Sequence, residues 1–145
     1  NKTEDVLMKK SLIIKILAVL VLIVLIISII LNKSSEHIDE IRVALDNTKI
    51  IKLYDYKSKI LINTYDRKYT QDIVEKLSYD KWSASNGLNG DEKKYLLKLY
   101  TDEDSDSFAE ITIYESNDYI SVFIPEKIKN KIYKTNNSLK NLFDL

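Results

Sequence analysis

Cysteine is absent from this 145-residue chain, which excludes a disulfide framework, a thiolate metal centre and a thiol nucleophile. A single histidine, His37, cannot form a His cluster, and two glycines with one proline leave no glycine-rich phosphate loop and no nucleophile elbow. An excess of one charge is missing too. The 22 Lys+Arg balance the 22 Asp+Glu, so the chain is not a polycation built to grip nucleic acid, and no nucleic-acid partner is expected.

What the chain does have is one long apolar run. Ser11 to Leu31 reads SLIIKILAVLVLIVLIISIIL, 21 residues in which Lys15 is the only charge. A helix rises 1.5 Å per residue and a bilayer core is about 30 Å thick, so about 20 such residues span it. Lys15 lies one turn inside the run, where its flexible stem can carry the ammonium back to the headgroups. A soluble surface helix would be apolar on one side only. A cleaved signal peptide would have a shorter apolar stretch followed by a small-x-small site, whereas this run ends Ile29, Ile30, Leu31, Asn32, Lys33. An uncleaved anchor is therefore expected. Lys9, Lys10 and Lys15 before the span, against Lys33, Glu36, Asp39 and Glu40 after it, put the N-terminus in the cytoplasm and the remainder outside. The expected division is a cytoplasmic tail over 1–10, a transmembrane helix over 11–31, a juxtamembrane stalk over 32–47 and an extracytoplasmic domain over 48–145. Met8-Lys9-Lys10 resembles a translation start, so residues 1–7 are expected to lack structure of their own.

Beyond Leu31 the chain holds 18 basic and 20 acidic residues, unevenly spread. Residues 91–126 carry ten acids and three lysines, and 127–145 carry five lysines and one acid. Ser34 to Asp46 offers an N-cap and places Ile38, Ile41 and Leu45 at helical spacing, which suits either a helical turn or two after the membrane or a stalk ending in a strand. Lys49–Tyr56 and Ile60–Tyr65 are rich in β-branched and aromatic residues and read as a hairpin around Lys57-Ser58-Lys59. Tyr69, Ile73, Val74 and Leu77 then predict an amphipathic helix over Arg67–Tyr79, capped by Asp66 or Thr70. Lys81 to Asp91, with both glycines, reads as the longest loop. Tyr95–Thr101, Phe108–Glu115 and Tyr119–Ile124 alternate as strands, with a tight turn at Asn117-Asp118. Ile111 and Ile113 share one face, as do Ile120, Val122 and Ile124, and these faces are the predicted core. Pro125 is expected to end the sheet, residues 126–136 suit either helix or extended chain, and Ser138 caps a final short helix with Leu139, Leu142 and Phe143. The predicted class is α+β: a transmembrane helix, then a mainly antiparallel five-stranded sheet in the order β-β-α-β-β-β-α, with a helix packed on one face.

With these segments, IIKLYDYKSKILINTYD before QDIVEKL, then ITIYESNDYISVFIP and the tail KIYKTNNSLKNLF, the chain resembles the small uncharacterised domains that Gram-positive bacteria export behind one N-terminal hydrophobic segment. The likeness covers most of residues 48–143. It implies compartment and fold and supplies no catalytic residue.

Candidate chemistry is sparse. Asp102, Asp104 and Asp106 alternate as carboxylates of a calcium loop do, but an EF-hand needs Gly at its sixth position and Glu at its twelfth, where this chain has Ser107 and Ile113. An EF-hand is excluded, and a surface calcium site competes there with an ordinary acidic hairpin loop. No cofactor is expected. Ten tyrosines, three phenylalanines and Trp82 make the domain aromatic. Tyr54, Tyr56, Tyr65, Tyr100 and Tyr114 fall opposite aliphatic positions in several alternations, which places some of them on a second face of the sheet. A tyrosine offers a rigid ring and a hydroxyl, suited to peptide or glycan recognition as well as to cross-strand packing. Tyr54, Tyr100, Tyr114 and Trp82 are the candidate ligand-binding residues, with Trp82 in the long loop the first candidate for contact, although closing the helix end over the sheet suits it better. His37 has no second ligand near it in sequence and is expected to be solvated. The function expected is a non-enzymatic, membrane-tethered module that binds an envelope or extracellular protein or peptide. The alternatives are an immunity or inhibitor protein against a toxin or peptide, and a small envelope hydrolase.

Overall fold

The structure, a computed structural model, describes residues 2–87 and 90–143, with the side chains of 31–36 excepted. The chain divides into two compact units between Glu36 and His37. A helix, α1, runs from Lys2 to Asp46. It includes residues 2–7, which the sequence had suggested were without structure, because nothing from Lys2 onward breaks a helix.

In the first unit, Lys2–Ile30 is long and apolar enough to cross a membrane. Its large apolar side chains, from Val6 to Ile30, are all exposed around the whole circumference. A helix apolar on every side has no stable home in water, so this part of α1 is suited to lipid.

The second unit starts with the last turns of α1. The segment expected as a stalk is helical, and Ile41 and Leu45 from it are almost wholly buried in the core. Their spacing put them on one helix face, and burying that face is worth more than a free stalk could gain. The core therefore draws on residues before position 48.

Among the described residues seven strands follow, two more than expected: β1 (Ile50–Asp55), β2 (Leu61–Asp66), β3 (Ser83–Ala84), β4 (Lys93–Tyr100), β5 (Ala109–Tyr114), β6 (Tyr119–Ile124) and β7 (Ile128–Lys134). They form one sheet in the order β2-β1-β4-β5-β6-β7-β3, and every pairing is antiparallel. The β1–β2 turn is held by Asp55, whose carboxylate accepts bonds from the Ser58 amide and hydroxyl at 2.8 Å each. Both bonds favour the ionised form and lower the Asp55 pKa.

A second helix, α2 (Arg67–Leu77), ends earlier than expected because Ser78 adopts the left-handed conformation that closes it, and a 3₁₀ turn takes Tyr79–Lys81. Its buried stripe is Thr70, Ile73 and Leu77, while Tyr69 points outward. Neither proposed cap operates. Asp66 makes no side-chain cap bond, and the Thr70 hydroxyl reaches the Tyr65 and Lys49 carbonyls at 2.9 and 3.0 Å.

Pro125 ends β6 but not the sheet. It sits at the second position of a tight turn in which Glu126 takes φ 68° and the Lys127 amide donates to Ile124 at 3.0 Å, so the chain reverses into β7. Strand β7 was obscured in the sequence because its alternation slips. Ile128 and Tyr133 are both buried although they are five positions apart, which simple alternation would put on opposite faces, and a register shift in the β6–β7 pairing, with Asn130 at φ 48°, reconciles the two. The expected terminal helix is a set of turns instead, entered through Asn136 and Asn137 at positive φ. Leu139 and Leu142 from those turns nonetheless close the core.

Candidate functional site

Strand register divides the sheet into two chemical faces. Across neighbouring strands, Ile51 opposes Leu99, Leu53 opposes Leu97, Leu97 opposes Ile111, and Ile111 opposes Val122. These residues form one buried cluster with Ile41, Leu45, Ile73 and Leu77 of the helices, so this is the covered face. The residues between them point the other way. Lys52 opposes Lys98, Lys98 opposes Glu110, Glu110 opposes Phe123, and Thr112 opposes Ser121. None of these belongs to the helix-covered cluster.

On this open face the tripeptide Lys-Leu-Tyr occurs twice, as Lys52-Leu53-Tyr54 in β1 and Lys98-Leu99-Tyr100 in β4. Because the strands are antiparallel and the two lysines are directly opposite, each lysine leans across to the other strand's tyrosine. The Lys52 ammonium lies 4.9 Å from the Tyr100 ring centre and the Lys98 ammonium 5.4 Å from that of Tyr54. Such contacts relieve the repulsion of two opposed like charges. The Tyr100 pKa is pushed up to about 12, by burial first, then by the Tyr54 hydroxyl and the Glu110 and Asp106 carboxylates. Its hydroxyl therefore stays a neutral donor across the physiological range. Nearby, the Lys93 ammonium donates to the Tyr56 hydroxyl at 3.2 Å, which raises the Lys93 pKa. The Lys59 ammonium also lies against this group, 3.6 Å from the Tyr56 ring centre.

A cleft of about 350 Å³ opens beside Tyr100, lined by Ile50, Lys52, Asp66, Asp102 and Glu103 among others. Of the calcium candidates, Asp102 turns its carboxylate onto its own loop, accepting from the Asp104 amide at 2.9 Å. Among the described residues there is no group of three or more His, Asp or Glu placed to hold a metal ion.

The structure brings Tyr54 and Tyr100 together and separates them from Trp82. Tyr114 is on the same face as they are, by its place next to Ile113, but it is 4% exposed. Tyr65 is opposite Ile51 and belongs to the covered face. Trp82 is also a core residue. It is 6% exposed, its ring centre is 6.0 Å from that of Tyr133, and its indole N–H donates to the Ser138 hydroxyl at 3.2 Å. Ser138 in turn donates to the Leu77 carbonyl at the end of α2, so Trp82 closes the helix end over the sheet, as its packing alternative held. The loop beyond it includes positions 88–89, which lie outside the described residues. His37 is not simply solvated. Its Nδ1 is 3.7 Å from a Glu40 carboxylate oxygen, and both atoms are shielded from water.

Sequence reasoning singled out the tyrosines but not Lys52 and Lys98, which lie against Tyr100 and Tyr54. The repeated Lys-Leu-Tyr was the available signal, since two copies on neighbouring antiparallel strands place each lysine diagonal to a tyrosine. No protein-family model, curated protein or solved structure matches this chain.

Proposed function

We propose that this chain is a single-pass, membrane-anchored binding module, with its N-terminus cytoplasmic and its α+β domain outside the cell, and that it holds a protein, peptide or envelope component without transforming it. The observation that carries the reading is the open sheet face. Helix side chains join the buried cluster on one side of the sheet, and the other side presents two lysine–tyrosine pairs and a cleft where a purely structural surface would need only solvated side chains. Rigid aromatic rings with neutral hydroxyls, next to ammonium groups, suit a ligand that combines flat apolar surface with acceptor or acidic groups. Anchoring would hold the module at the membrane and raise its effective concentration for ligands there. The lysines before the apolar run support the orientation.

Two experiments test the two halves. A photo-crosslinking residue at Thr112, on the open face, should capture a partner in living cells, and Tyr54→Ala with Tyr100→Ala should abolish that capture in a protein that still folds. Capture that persists in the double variant would move the site elsewhere. For orientation, Asn86→Cys should react with an impermeant thiol reagent on intact cells, whereas labelling only after lysis would reverse the topology.

A further inference from the structure

The two edges of the sheet are finished differently. At one edge β3 has only two residues, and the chain around it is tied down: the Ser85 amide donates to Ile132 at 3.0 Å and the Asn136 side chain to Lys81 at 2.7 Å. At the other edge β2 pairs, among the described residues, with β1 alone, so the outer side of a six-residue strand has no ladder there. One of its amides, that of Thr64, turns to the Asn63 side chain at 2.8 Å.

This edge is apolar as well as open. Ile60, Leu61 and Ile62 are 66%, 47% and 51% exposed, and outside the membrane helix the only other large apolar side chains so exposed among the described residues are Val43 and Tyr69. Natural sheets blunt free edges by shortness, proline or charge within the strand. Within Leu61–Asp66 there is no proline and the one charge is Asp66 at its end, while the pairing with β1 slips between Leu53 and Tyr54 and passes over Ile62. Charge is placed at its two ends instead, with Lys57 and Lys59 before it and Arg67 and Lys68 after it. Lys57 is ion-paired with Glu92 at 2.9 Å, while Lys59, Arg67 and Lys68 have no ion pair among the described residues; the acid among them is Asp66.

We infer that the outer edge of β2 receives an extended apolar peptide segment with acidic flanks, which adds to the sheet as an eighth strand. Backbone hydrogen bonding supplies the affinity, Ile60, Leu61 and Ile62 supply apolar contact, and the cationic ends select acidic flanks and set the register. A second copy of this chain fits less well. Antiparallel pairing of β2 with itself about a two-fold axis at Ile62 or Asn63 puts Arg67 opposite Lys57 or Lys59, like charge against like. This edge is a separate surface from the Tyr54–Tyr100 face, so the two readings fail separately.

The test uses the full chain in detergent micelles and a fluorescent synthetic peptide with a Val-Thr-Val-Thr-Val core and two aspartates at each end. It should bind at least about tenfold more tightly than the same core flanked by lysines, with the gap narrowing as salt is raised. Binding should slow amide exchange at residues 61–66. Ile62→Lys, at a side chain already half exposed, should keep the melting curve and weaken the peptide by about tenfold. The inference is overturned by equal affinity for the two peptides, by unchanged exchange at β2, by undiminished binding to Ile62→Lys, or by a dimer that protects β2 without peptide.

Discussion

The covered and open faces of this sheet are drawn from the same strands and alternate residue by residue, yet they are built from different chemistry. Leu97, Leu99, Ile111 and Val122 are nearly inaccessible and belong to one buried cluster with helix side chains, while their neighbours Lys98, Tyr100 and Thr112 remain partly exposed. The difference teaches where selection for folding acts and where it leaves room. A substitution on the covered face must fill a fixed volume, whereas one on the open face changes mainly what the domain offers to a ligand.

The sharpest way to break that contrast uses two neighbouring residues. Ile111→Asp should unfold the domain, because a buried carboxylate without a partner costs several kcal/mol, on the order of the whole stability of a small domain. Thr112→Asp, one residue on and facing the other way, should stay folded with a change within about 1 kcal/mol. Thermal melting followed by circular dichroism separates the outcomes, and similar melting of both variants would mean that the faces are assigned wrongly.

A smaller effect sharpens the same division among the aromatic residues. Trp82→Ala should cost about 3–5 kcal/mol, through the cavity it leaves against Tyr133 and the loss of its bond to Ser138. Tyr100→Ala removes a partly buried ring and should cost about 2 kcal/mol, less than the Trp82 substitution. On partner capture the order should reverse once the remaining folded fraction is allowed for. Trp82→Ala proving as benign as Tyr100→Ala in urea titration would return Trp82 to the list of contact residues.

Much of this was legible in the sequence, and the failures have a common physical origin. The long apolar helix, the β1–β2 hairpin, α2 and the core faces of β5 and β6 were readable because an unbroken apolar run, turn signals between β-rich segments, or a regular apolar spacing marks each of them. Strand β7 was not, since its register shift puts Ile128 and Tyr133 on one face against simple alternation. The two-residue β3 carries no periodicity at all. Trp82 stood out by its isolation in a polar loop, but only the meeting of that loop with Ser138, 56 positions later, reveals it as a core residue. Local pattern reports what one element buries, and such long-range closure lies beyond its reach.

The smallest expected effect concerns two hydroxyls, one on each face. The Tyr133 pKa is raised to about 12 by burial and by the Glu40 carboxylate, and that of Tyr100 to about 12 by burial and its neighbours. An unfolded chain would release both protons near pH 10. Below pH 10 neither group favours unfolding; from there to about 12 the unfolded state holds fewer protons than the folded one, so stability falls as pH rises. Replacing either residue by Phe should flatten that alkaline decline. At neutral pH the two variants should differ, because the buried Tyr133 hydroxyl has no hydrogen-bond partner among the described residues and its removal strands none of them, so Tyr133→Phe should leave stability unchanged or slightly higher. Tyr100→Phe loses the interaction with Tyr54 and should cost about 0.5–1.5 kcal/mol. Urea melts at pH 7 and pH 11 measure both effects. A loss above about 1 kcal/mol in Tyr133→Phe at pH 7 would show that its hydroxyl is held by a bridging water, and the covered face would then have a polar anchor of its own.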